Sequence, residues 1–418
     1  MFWTFTYGMP SLKKNIFYSG LLTTANYIFP LITYPYVSRV LGIANIGVCN
    51  FVDSIINYFL IFSALGIGVV GIREISRHNN SQNHLQESFS KLFTINTIST
   101  VIALVVLLIS MHTILRLKEN YELMWVGVLK LVFNYLLIEW FFKGLEDFKY
   151  VTNRTLIVRC LYVASVFIFV RDASDVVVYY FLLSSTIVVN AIINVIYARK
   201  FIRFRFCFSS LKDYTKSICI MGLYNVLSSL YTTFNVAFLG FTSTDVEVGY
   251  YTTSTKIHQI ILMAFTAVTG VLMPRMASIL GQKKYDEYKR LLKKSIFILF
   301  LFAIPCVAVI EIFAPEIIKI IAGSGFEGAI LPLRIVAPLV LIIGLEQILI
   351  IQSLMPMGKD KAVLINSIFG AVVGIIANVI LVPHLESVGS AIVWFVSEIA
   401  VMCSAIYFFN KEWRIMKV

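Results

Sequence analysis

Apolar runs long enough to cross a membrane recur from one end of this chain to the other, and nothing else in it constrains the fold as tightly. A helix needs roughly 20 residues to span a hydrocarbon core about 30 Å thick, and about twelve runs meet that length. They lie near 15–38, 46–70, 92–112, 123–142, 155–171, 175–198, 216–240, 251–274, 295–314, 330–354, 362–382 and 388–409. A chain of 418 residues would otherwise suggest two or three soluble domains. A composition 59% hydrophobic and 14% charged, with mean hydropathy +0.84, excludes them. Backbone polar groups in lipid must be satisfied within the spanning segment, so the expected fold is an all-α integral membrane protein. The first run is too long for a cleavable signal peptide, continues into Arg39 and lacks a small-residue cleavage site.

The basic residues orient the chain, because cytoplasmic connections carry the excess of lysine and arginine. With the N-terminus inside, the inner connections hold 26 of the 35 basic residues. The outer side holds six (Arg39, Arg116, Lys118, Arg171, Lys319 and Arg334), and Lys130, Arg159 and Lys256 fall within runs. Both termini are therefore expected in the cytoplasm. The net charge of +12 calls for no nucleic-acid partner, since basic inner loops face anionic membrane lipids. The six cysteines are scattered without a CxxC pair and the five histidines lack metal-ligand spacing, so no metal is expected.

An internal repeat divides the runs six and six. "NIGVCNF" aligns with "EVGYYTT", which places Gly47 over Gly249; at the same offset of 202, Gly68 falls on Gly270, Arg73 on Arg275 and Ser76 on Ser278. "KGLEDFKYVTN" resembles "MGKDKAVLIN" at a nearby offset, with Asp147 over Asp360 and Asn153 over Asn366. The expected organisation is two six-helix lobes, 1–210 and 211–418, related by a pseudo-two-fold axis along the membrane normal. Transporters bind substrate between such repeats.

Charge at mid-bilayer costs at least about 2.5–3.5 kcal/mol on insertion scales, so such residues face protein or water. Asp53, Lys130, Arg159, Lys256, Glu346 and Glu398 are the candidates, with Arg39, Glu139 and Glu311 nearer the ends. Glu139 and Lys143 are spaced as a helix-surface pair. Asp53 and Lys256 occupy nearly equivalent places in the two halves. They form either an ion pair closing a cleft, two poles of a cavity, or a buried bridge between helices. Asn225, Ser229 and Thr232, with Asn235 nearby, make a stripe that faces neighbouring helices or a wet cavity. In "PLITYPYVSRVLG", Pro30 frees the carbonyl of Asn26 and Pro35 that of Leu31. Loose backbone at this depth needs protein or a cavity to receive it. The first run therefore reads as a kinked, cavity-lining helix, with Arg39 directed either to an outward cavity or to outer-leaflet phosphates.

The stretch "TYPYVSRVLGIANIGVCNF" resembles the first-span signature of bacterial polysaccharide repeat-unit flippases, the O-antigen and capsule exporters of the multidrug/oligosaccharidyl-lipid/polysaccharide superfamily. "LGIGVVGIREIS", "FLGFTSTDVEVGYYTTSTKI", "LMPRMASILGQKKYDEYKRLLKKS" and "NVILVPHLESVGSAIVWFVSE" resemble later family segments in the same order. The family often carries aspartate where this chain has Asn235. The resemblance implies a MATE-like fold in a bacterial inner membrane and a non-enzymatic role in polysaccharide, lipopolysaccharide or capsule biosynthesis. The implied substrate is an undecaprenyl-pyrophosphate-linked oligosaccharide, moved from the inner to the outer leaflet by alternating access. Partners implied are that lipid-linked oligosaccharide, membrane lipids, and the polymerase and chain-length proteins of a glycan assembly system.

On this reading Arg39 and Lys256, with Lys130 and Arg159, meet the pyrophosphate or acidic sugars, for which arginine is suited by its bidentate fork. Asp53, Asn225, Asn235 and Glu346 meet sugars or a coupling ion, H+ or Na+; no cofactor is expected otherwise. Two other classes stay open. An ion-coupled drug or metabolite antiporter of the same fold would cluster its carboxylates in one lobe. A polymerase, ligase or glycosyltransferase would carry a large outer loop or an acidic outer motif, and neither is found. No GxxxxGK[ST] loop is present, so the chain is not expected to hydrolyse nucleotide.

Overall fold

The computed structural model describes residues 12–78, 81–282 and 284–416, and no strand occurs among them. The N-terminal half contributes α1 (Leu12–Ala64), α2 (Ile67–His78), α3 (Gln82–Thr113), α4 (Leu115–Glu119), α5 (Tyr121–Asn134), α6 (Glu139–Gly144), α7 (Phe148–Phe169) and α8 (Val176–Ala198). There follow α9 (Lys212–Thr232), α10 (Phe234–Thr242), α11 (Asp245–Gly281), α12 (Tyr285–Ile321), α13 (Ile330–Val336), α14 (Leu339–Leu349) and α15 (Asp360–Met416). The chain is an all-α, multi-pass membrane protein.

Eight helical stretches among the described residues are long and apolar enough to cross a membrane. Two of them are of double length, each with a positive-φ residue between its expected spans, and the first, Phe17–His78, has a second such residue at Leu65 (φ 44°), between α1 and α2. Gly42 (φ 76°) breaks α1 and Glu386 (φ 51°) breaks α15. The expected connection at 39–45 thus shrinks to one turn residue, which glycine supplies without steric cost. The kink expected at Pro30 and Pro35 does not take the backbone out of helical dihedrals; within α1 only Gly42 does so. From the basic stretch that begins at Tyr285, α12 leads directly into the membrane-length run.

Lipid takes the place of water around these helices. On α3, Ile98, Val101, Ile102, Val105, Val106 and Ile109 are exposed at helical spacing, while Leu92, Thr100, Ala103, Leu107 and Met111 are buried on the other side. The small and hydroxyl residues therefore face protein, and the branched aliphatics face the hydrocarbon.

The chain divides into two compact units, Met1–Thr33 with Ile55–Val226, and Tyr34–Ser54 with Leu227–Val418. The division at 210/211 expected from the repeat follows chain order, whereas the contacts exchange two segments. Residues 34–54 belong to the second unit, where the Tyr34 hydroxyl and Thr253 Oγ1 are 2.6 Å apart. Residues 211–226 belong to the first, where Asn225 Nδ2 donates to the Leu65 carbonyl at 2.9 Å. A Cβ on Gly222 would lie 3.1 Å from Leu65, so the small residue permits that approach.

In the first unit Phe89, Phe93, Trp140, Phe141 and Phe142 form the centre of an aromatic core joining α2, α3 and α6. In the second, Phe265, Met276, Tyr288, Leu299 and Val340 join α11, α12 and α14.

Candidate functional site

The first unit holds a polar cavity created by a broken helix. Where α5 ends, Tyr135–Leu137 tighten into a 3₁₀ turn, and Ile138 adopts a left-handed conformation (φ 34°). A β-branched residue there costs roughly 1–2 kcal/mol, and the surroundings must impose it. They do: Ile138 is buried in the aromatic core, and Asn194 Nδ2 donates to the Leu137 carbonyl. The break starts α6 at Glu139 and turns that carboxylate inward.

Glu139 accepts from Lys143 Nζ at 3.0 Å and from Arg154 Nη2 at 2.6 Å. Arg154 Nη2 also donates to Thr155 Oγ1 at 2.9 Å. Glu139 and Lys143 line two adjoining cavities. The larger, about 240 Å³, is walled by Asn26, Thr155, Arg159, Thr186 and Asn190 as well. The smaller, about 170 Å³, adds Asn96, Asn134 and Trp140. Arg159 Nη1 donates to the Ala25 carbonyl at 3.1 Å, with its guanidinium 5.9 Å from the Phe29 ring centre. Arg154 lines a third, open pocket of about 430 Å³, with Asp147, Lys149, Tyr150, Asn153 and Tyr197. Arg154 thus stands between that pocket and the inner cavities. Two cations, one carboxylate and several amides face the inner cavities, with Arg154 bonded to that carboxylate, a set suited to an anionic, hydroxyl-rich ligand.

Of the residues expected from sequence to act on substrate, the cavity takes Arg159 alone. Lys130 is buried on α5 and lines neither inner cavity. The others, apart from Asn225 described above, lie in the second unit. Lys256 sits against the Tyr34 ring, 4.6 Å from its centre, and within electrostatic reach of Asp53. Arg39 caps α12: its guanidinium donates to the Ile320 carbonyl, to that of Lys319 at 3.4 Å, and to Pro35 O at 2.6 Å. The last carbonyls of a helix have no intrahelical donor, so a cation there supplies both hydrogen bonds and charge. Asn235 is buried, accepting from Asn378 Nδ2 at 2.7 Å and donating to the Tyr251 hydroxyl at 3.2 Å. Glu346 and Glu398 are buried within hydrogen-bonding reach of each other. Trp394 Nε1 donates to Glu398 at 2.8 Å, and the His258 ring lies 4.9 Å from the Trp394 ring. The side chain of Thr232 lies outside the described residues.

Sequence reasoning passed over Glu139, Lys143 and Arg154. Glu139 and Lys143 do form the expected i, i+4 pair, but the pair lines cavities instead of an outer face. No spacing signal ties Arg154 to that pair, because it reaches Glu139 from α7.

The sequence matches two family models: polysaccharide biosynthesis protein over residues 12–280, and MatE over residues 221–380. A curated protein described as "Putative O-antigen transporter" from Escherichia coli (strain K12) is 26% identical over 410 residues, covering 96% of this chain and 97% of its own. Among solved structures, the lipid II flippase MurJ in an inward closed conformation superposes with a TM-score of 0.79 at 13% identity, covering 94% of this chain and 87% of its own. An inward-facing multidrug resistance MATE family transporter of the MOP superfamily gives a TM-score of 0.71 at 18% identity, over 93% of this chain and 94% of its own. At those identities the structural likeness establishes the fold.

Proposed function

Because this chain belongs to the polysaccharide biosynthesis protein family, we propose that it is a flippase for lipid-linked oligosaccharides. The observation that carries the reading is the Arg159–Lys143–Glu139 cavity with its amide and hydroxyl lining. A phosphate and a sugar have to leave water to cross a membrane, and they need cations and hydrogen-bonding groups in place of their hydration. The names of the relatives, an O-antigen transporter and a lipid II flippase, support that substrate class.

In finer terms, the substrate is an undecaprenyl-pyrophosphate-linked repeat unit, moved from the cytoplasmic to the periplasmic leaflet of a bacterial inner membrane by alternating access. Both termini are cytoplasmic, as the basic connections favour. The chain works as a transporter and not as an enzyme, beside the polymerase and chain-length proteins of a glycan assembly system. The driving ion in this reading is a proton, held by Glu346 and Glu398. Two carboxyl groups can hydrogen-bond to each other only with a proton between them.

The test is a deletion strain complemented with wild-type protein or Arg159→Ala at matched expression. Repeat units should accumulate on the cytoplasmic leaflet without the protein, and Arg159→Ala should restore less than about a tenth of the surface glycan, the scale of a lost charged hydrogen bond. Normal surface glycan in the deletion strain would end the proposal.

A further inference from the structure

We propose that Arg154 and Lys143 form a phosphate-binding site and that Glu139 is its built-in competitor. The inference rests on the flippase reading above and assigns the anion of the lipid-linked substrate to these two cations.

The Arg154 guanidinium is almost wholly buried, its side chain 3% exposed; Nη2 bonds Glu139 and Thr155, and Tyr150 lies beside the guanidinium, its ring centre 5.9 Å away. Nε and Nη1 are buried and have no hydrogen-bond partner among the described residues. Leaving charged donors unsatisfied is costly, and Arg can present parallel N–H groups to an anion with several oxygens. One carboxylate oxygen of Glu139 does not use that capacity. A phosphate offers three acceptor oxygens and up to two charges, enough to serve Arg154 and Lys143 together.

Glu139 is placed to give way. Its side chain is 26% exposed and lines both inner cavities, and Lys143 is 31% exposed on the same walls. Arg154 is the fixed member and the two partners facing the cavity are the movable ones. Glu139 and an incoming phosphate carry the same sign and need the same donors, so they exclude each other. Displaced towards the cavity, Glu139 comes nearer Arg159, which shares its wall. The carboxylate holds the two cations together until phosphate takes them, and it returns when phosphate leaves. A site of this kind binds the anion weakly enough to release it, as a carrier must.

The experiment is calorimetric titration of the purified full-length protein in nanodiscs of zwitterionic lipid. The probes are inorganic pyrophosphate and a short-chain polyprenyl pyrophosphate, which separate a free anion from a lipid-borne one. Glu139→Gln should bind both at least about tenfold more tightly than wild type, since a charged competitor is removed. Glu139→Asp, which keeps the charge but shortens its reach, should fall between them. Adding Arg154→Met to Glu139→Gln should abolish the gain, and thermal unfolding of each variant reports that it is folded. Wild-type binding with no gain in either Glu139 variant would overturn the competitor role and leave the flippase reading standing. Binding of neither probe by any folded variant would overturn both.

Discussion

Asn50 and Thr252 are hydrogen-bonded at 3.1 Å, and they stand 202 positions apart, the offset at which the two halves of the sequence align. Gly47 and Gly249, one turn away in each helix, meet in the same way: a Cβ on Gly47 would lie 3.0 Å from the Gly249 nitrogen. The segments "NIGVCNF" and "EVGYYTT" thus cross at backbone contact inside the second unit.

That crossing tolerates no side chain. A Cβ on Gly249 would stand 2.5 Å from the Ile43 carbonyl. Gly249→Val should therefore force α1 and α11 apart, at about 1–3 kcal/mol for overpacking. Thermal unfolding in detergent checks this. Gly20→Val is the control, because no atom lies within 4 Å of its Cβ position; equal losses in both variants would refute the crossing.

Much of the fold was legible because lipid makes apolar length an almost direct readout of spanning helices. Gly47 and Gly249 stood out in the sequence because a close helix crossing leaves no room for a larger residue. The candidate site was not legible, and the reason is local. The break that turns Glu139 inward sits at Ile138, a residue with no intrinsic preference for positive φ, so no sequence signal marks it. Arg154 reaches Glu139 from another helix, and residue spacing says nothing of which helices adjoin. For Arg39 the hidden information is again a tertiary neighbour. A cation at the expected outer end of a span resembles a ligand for anions, and nothing in the sequence reveals that the end of α12 lies beneath it.

The capping role of Arg39 predicts a stability effect in place of a purely functional one. Arg39→Ala should lower thermal stability by about 1 kcal/mol through loss of the contacts to the last turn of α12. Gly323→Ala should do the same for two reasons, a φ of 99° and a Cβ 2.9 Å from Arg39 Cγ. Because both changes disturb one contact, the double variant should cost less than the sum of the singles. Full additivity in unfolding measurements would show that Arg39 and Gly323 act apart.

Asn235 gives a test of polar satisfaction. Asn235→Ala removes the acceptor for Asn378 and the donor to Tyr251, all of them buried, and should cost about 1–3 kcal/mol. Asn235→Asp can accept from Asn378 Nδ2 and from the Tyr251 hydroxyl, so it should fold nearly as well as wild type. Aspartate failing as badly as alanine would mean that the site cannot accommodate a charge.

The Glu346–Glu398 pair separates structure from coupling. Glu398→Gln keeps an acceptor for Trp394 Nε1 and a partner for Glu346, so it should fold; Glu398→Ala leaves both groups buried without partners and should be destabilised by at least about 1–3 kcal/mol. Neither glutamine at 398 nor glutamine at 346 can release a proton. If the pair carries the driving proton, Glu346→Gln and Glu398→Gln should each fold normally yet lose flipping that depends on a proton gradient. Translocation of fluorescent lipid-linked oligosaccharide in proteoliposomes, with and without a protonophore, reads this out. Wild-type transport that ignores the protonophore, or glutamine variants that retain gradient-driven transport, would remove the pair from the coupling mechanism and leave it a packing feature of the second unit.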